Sequence, residues 1–199
     1  MNEQPTRFED ALRLIDEANL VDPNTESFEG EEYPKELLYS MRMTRWLEAI
    51  EPQASEALRL AVRSQHIRRW EIPRSEYPLG RKGYHQWRIR LYDYHGEKAA
   101  EILEKVGYDE QTIARVRMLL KKQGLKTDTE TQTLEDVACL VFLESYFWDF
   151  SRLHDEEKII GILRKTWAKM SVRGQEAARE LSLNAGAQDL LNKALTPEK

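Results

Sequence analysis

The chain is poor in the features that most readily mark a function. It has one cysteine, Cys139, in 199 residues. That excludes an internal disulfide and a zinc site built from several thiolates. It has no long hydrophobic run: the longest, VACLVFL, is far too short to span a bilayer. The opening stretch MNEQPTRFEDALRLIDEANL is acidic and lacks the apolar centre of a signal peptide. These absences lead us to expect a cytoplasmic protein without a membrane partner. There is no excess of positive charge either. The 30 Lys and Arg are outnumbered by 35 Asp and Glu, giving a net charge of −5, so the chain as a whole is not a basic nucleic-acid binder. It shows no internal repeat, no low-complexity tract and no convincing strand.

What is present is helical periodicity. Hydrophobic residues make up 41% and charged residues 33%, as suits a soluble, helix-rich domain. Apolar residues at helical spacing predict helices over 7–20, 35–50, 54–70, 84–106, 110–124, 133–153 and 155–170, with two short helical pieces in 171–195. Ser55 and Asp109 suit helix starts. Residues 21–34 read as a loop, and 71–83 as a long irregular link of the kind that borders a site. From Val137 to Phe150 the sixth helix is apolar on nearly every face, the pattern of a helix surrounded by others. The expected fold is all-α: a single compact helical bundle over 31–195, preceded by a helix-and-loop extension over 1–30.

Ionisable groups on apolar faces suggest a site. His66 shares a face with Val62 and Trp70, His95 with Leu91 and Ala99, and Asp136 lies one turn before Leu140. A buried charge is costly unless paired or coordinated, so the economical expectation is that the three meet. Two imidazoles and a carboxylate suit a divalent metal such as zinc, manganese or iron. Taken singly, each is more often a hydrogen-bonded core residue than a ligand. Glu71 and Glu135 are candidate general bases. Arg68, Arg69, Lys122 and Lys165 are candidates for holding phosphate, against the plainer reading of a solvated helix surface. His154-Asp155 reads first as a helix start, where acids oppose the macrodipole. No organic cofactor is evident.

Two resemblances follow. On the strings IDEANLVDPN, SEALRLAVRSQHIRRWEIPRSEYP, GYDEQTIARVRMLLKK, LEDVACLVFLE and HDEEKIIGILRKTWAKMS, nearly the whole chain is similar to family 4202 of the domains of unknown function, which brings no activity with it. More distantly, residues 36–150 resemble the HD-domain metal-dependent phosphohydrolases. YHGEKAAEILEKVGYDEQTIARVRMLLKK looks like the HD segment in which a His opens a helix. LEDVACLVFLE looks like the last HD helix with its metal-binding aspartate. ALRLAVRSQHIRRW looks like the helix that ends in the signature His-Asp. Here that signature reads Gln65-His66, and Tyr39 or a neighbour stands where the first histidine would fall. The resemblance implies hydrolysis of a small phosphorylated or nucleotide-like molecule by a metal-bound hydroxide. The alternatives are an HD-type iron oxygenase and a non-catalytic binding module with a buried His/Asp network. Rossmann-like strands and HIGH- or KMSKS-type motifs are absent, which excludes a glutamyl-tRNA synthetase. The oligomeric state is left open.

Overall fold

Side-chain caps set most of the helix starts. In the computed structural model, which describes residues 5–196, Thr6 caps α1 (Arg7–Leu20) in a reciprocal capping box with Glu9. Ser55 caps α3 (Glu56–Arg63), after α2 (Lys35–Ile50). Asp109 caps α5 (Glu110–Leu120), which follows the long α4 (Gly80–Lys105). Asp128 caps α6 (Thr129–Val141). Beyond the short α7 (Phe147–Ser151), Asp155 caps α8 (Glu156–Lys169), Ser171 caps α9 (Val172–Arg179) and Asn184 caps α10 (Ala185–Leu195). Each cap oxygen takes up one amide that the first turn leaves without a helical partner.

The all-α expectation needs one correction. The segment read as a loop contains an antiparallel hairpin, β1 (Thr25–Phe28) and β2 (Glu31–Pro34), with Phe28 opposite Glu31. The two linking residues, Glu29 and Gly30, have φ of 53° and 86°. That is the left-handed pair a two-residue hairpin turn requires. Its acids and prolines hide the strands, because such residues are depleted in sheets.

The third helix is also shorter than expected. It ends at Arg63, and the chain turns through Ser64–Arg68 into a 3₁₀ turn at Arg69–Glu71. Arg68 is left-handed (φ 52°, ψ 33°), and its amide donates to buried Asn19 Oδ1 at 3.0 Å. A left-handed non-glycine residue costs about 1–2 kcal/mol, and the Asn19 bond helps hold this one in place. The break leaves the Ile67 carbonyl free of helical bonding and available to a side chain.

Two apolar cores meet along α6. Leu134, Val137 and Val141 pack with Ile15, Met43, Leu47, Leu58, Ile67, Leu103 and Ile113. Cys139, Leu140 and Leu143 pack with Phe147, Ile159, Leu163 and Leu191. Helix α1, expected as part of an outlying extension, puts Ala11 and Ile15 fully into the first core. Residues 1–4 of that expected segment lie outside the described residues. After α6 the chain makes one π-helical turn, Phe142–Tyr146. Such turns insert one extra residue into a helix. Its last residue, Tyr146, reaches Tyr39 and Arg42, and the next, Phe147, is fully buried. Among the described residues, no helix is long and apolar enough to cross a membrane.

Candidate functional site

The break after α3 delivers His66 to the start of α2. Its Nδ1 lies 3.1 Å from Glu36 Oε2 and its Nε2 lies 2.8 Å from the Arg69 guanidinium. Arginine only donates, so Nε2 accepts, and the ring is neutral with its proton on Nδ1, donated to Glu36. Tyr39 stacks on this imidazole with ring centroids 3.8 Å apart. Burial, then the charges of Arg69, Arg88 and Lys122, push the His66 pKa well below its usual value.

His95, on α4, sits with its ring centroid 5.9 Å from that of His66. Its Nδ1 is 2.9 Å from the freed Ile67 carbonyl, to which it must donate. Nε2 therefore carries a lone pair. It is fully buried and has no partner among the described residues, in a side chain only 3% exposed. Burial, with a further push from His66 and Arg69, holds this imidazole neutral as well.

Cations surround the pair. Arg69 lies 3.9 Å from Glu36 and 4.8 Å above the Trp87 ring. Arg88 forms no ion pair with a carboxylate among the described residues. Its guanidinium bonds to the hydroxyls of Tyr84 and Tyr92. Lys122, itself left-handed at φ 55°, is buried with Nζ 3.0 Å from Glu135 Oε2. That ammonium is close enough for an ion pair but off the hydrogen-bonding direction. The contact is therefore Coulombic, and Nζ has no aligned acceptor among the described residues. Glu135, also met by Lys169 at 3.6 Å, is held down to about 2, chiefly by Lys122. Burial pushes Glu36 up to about 7 against the pull of Arg69 and Lys35. Three cations thus share the cluster with two carboxylates and two neutral imidazoles.

The other expected site residues are placed elsewhere. Asp136, 1% exposed, accepts from the Ser171 amide at 2.8 Å, from the Ser171 hydroxyl and from Gln132 Nε2 at 2.9 Å. It anchors the start of α9 and lines a polar cleft of about 440 Å³ with Glu51, Ser55, Thr133 and Arg173. Arg68 turns outward to Glu71, whose other oxygen accepts a hydrogen bond from the Tyr94 hydroxyl. Lys165 is exposed on α8. Only His66, His95, Arg69, Lys122 and Glu135 of the expected set belong to the cluster. His154 lies beside Lys158, 3.2 Å away, at the start of α8, where Asp155 is the cap.

The expected metal set does not fit this arrangement. Both His66 nitrogens are bonded to Glu36 and Arg69, and Asp136 is saturated by α9 and Gln132. His95 Nε2 alone remains open. Among the described residues, no group of three His, Cys, Asp or Glu side chains is placed to hold a metal ion.

Sequence reasoning missed Glu36 and Arg88. An acid in the first turn of α2 reads as a partner for the helix dipole. Arg88 precedes His95 by seven residues. That spacing puts both on one helical face and could have drawn attention to it.

The molecule is thus a mostly helical protein with a buried cluster of histidines and cations at the junction of α2, α4 and the broken end of α3. The chain belongs to the family described as Domain of unknown function (DUF4202), whose sequence profile matches residues 9–191. Searches of curated proteins and of solved structures find no significant match.

Proposed function

We propose that the chain binds a small molecule bearing a phosphate group, held by Arg69, Arg88 and Lys122. One observation carries this reading: Arg69 bonds to the neutral His66 ring, Lys122 and Arg88 act on the same imidazole, and Arg88 hydrogen-bonds only to hydroxyls among the described residues, with Glu135 as its nearby countercharge. Three cations facing two carboxylates in a partly buried cluster leave positive charge uncompensated, which is costly. A phosphate dianion meets that need, and the fork of a guanidinium matches its oxygens. The likeness to HD phosphohydrolases belongs to the same reading. Here Gln65-His66 stands for the signature pair, and side-chain cations supply the positive charge that metals supply in that superfamily.

Thermal unfolding with inorganic phosphate, pyrophosphate and a nucleoside monophosphate tests the proposal. A ligand at a hundred times its Kd adds about 2.7 kcal/mol of stability. The shift should be lost in Arg88→Gln and kept in Lys165→Gln. Equal shifts in wild type and Arg88→Gln, or none with any of the three, would overturn it.

A further inference from the structure

We propose that His95 is a nucleophile whose Nε2 takes the phosphoryl group of a bound phosphomonoester and passes it to water. The inference rests on the phosphate-binding reading and adds covalent chemistry to it. Three geometric facts carry it. The bond from Nδ1 to the Ile67 carbonyl fixes the tautomer that leaves the lone pair on Nε2. That lone pair is buried and unpartnered among the described residues. The neighbouring His66 cannot take its place, because both of its nitrogens are engaged. A nucleophile beside converging cations is the arrangement phosphoryl transfer needs, since the transferring group carries its charge on the oxygens that Arg and Lys can hold.

The steps balance without a metal or a redox partner. Nε2 attacks phosphorus, the P–N bond forms, and the ester P–O bond breaks. The departing alkoxide takes a proton from water. The hydroxide left behind then attacks phosphorus while the P–N bond breaks and the lone pair returns to Nε2. The products are an alcohol and inorganic phosphate. Arg88, hydrogen-bonded only to hydroxyls among the described residues, is the cation that can swing onto the incoming phosphate.

The test is phosphorylation of the full chain by phosphoramidate and by nitrophenyl phosphate, followed by intact mass and alkaline ³¹P NMR. The expected result is a single phosphoryl group, stable in base and labile in acid, that peptide fragmentation maps to His95. His95→Asn keeps an N–H for the Ile67 carbonyl. It should melt like wild type and carry no label. Labelling of the wild type at any other residue overturns the inference whether or not that variant folds. A wild type that phosphate stabilises but neither donor labels overturns the nucleophile and leaves the binding site standing. Absence of both the stabilisation and the label overturns both.

Discussion

Glu36 and the two histidines give the cluster opposing pH signatures. Burial raises Glu36 from 4.5 to about 7, so the folded chain holds that proton more tightly than the unfolded chain does. Its contribution to stability is full below about 4.5 and is lost as pH rises to about 7. His66 and His95 are depressed below 6.5, so theirs is present above that pH and lost as pH falls through the range below it. Glu36→Gln removes the first term. The variant should match wild type near pH 4.5 and gain on it up to about pH 7, then run parallel. At about 1.4 kcal/mol per pKa unit the gap is on the order of 3 kcal/mol at most. Denaturant melts across that range measure it, and a gap that shrinks with rising pH would contradict the assignment. Residue roles were only partly legible in the sequence. His66 and His95 come within 5.9 Å between ring centroids, although His66 lies in the turn after α3 and not on the helical face that its spacing suggested. The same argument failed for Asp136 because α6 is buried on both sides. Adjacent residues on a helix point about 100° apart, so Glu135 enters the cluster while Asp136 turns to α9.

Among the elements, α9 and the hairpin make the sharpest predictions. A Cβ at Gly174 would lie 2.7 Å from Asp136 Cγ, so α9 can dock only with glycine there. Gly174→Ala should cost about 1–3 kcal/mol, the usual range for overpacking. Asp136→Asn should cost about 1 kcal/mol through a weakened helix start. That loss should be the same with and without a chelator, as thermal melts of both proteins would show. In the hairpin, Glu29 is forced to a positive φ that asparagine tolerates far better. Glu29→Asn should therefore raise stability by up to about 1 kcal/mol in chemical denaturation. The bounds of α1 and α2 were readable to the residue, because apolar spacing and turn formers agree there. The end of α3 was not. Its residues continue a helical pattern to Trp70, and only tertiary partners, Asn19 for the Arg68 amide and Glu36 for His66, break it.

At the scale of the whole molecule, α6 joins the two cores. Leu134 faces one and Leu140 the other, and both are fully buried. Truncating either to alanine should cost about 2–5 kcal/mol. Both changes should shift the same unfolding transition, followed by tryptophan fluorescence, with Trp46 packed against both cores and Trp167 against the second. A variant that splits the melt into two steps would show that the cores fold independently. The all-round apolarity of α6 announced this central place in the sequence; the π turn that follows left no pattern to read. The burial of Lys122 and His95, beside the partly covered Arg69, also has a consequence for ionic strength. Mobile salt ions screen exposed charges beyond roughly 8 Å in physiological saline, but they screen buried or partly buried pairs much less. A phosphate held there should keep most of its affinity as potassium chloride is raised, although the protein around it carries a net charge of −5. Ligands steered only by exposed lysines would be shed under the same conditions.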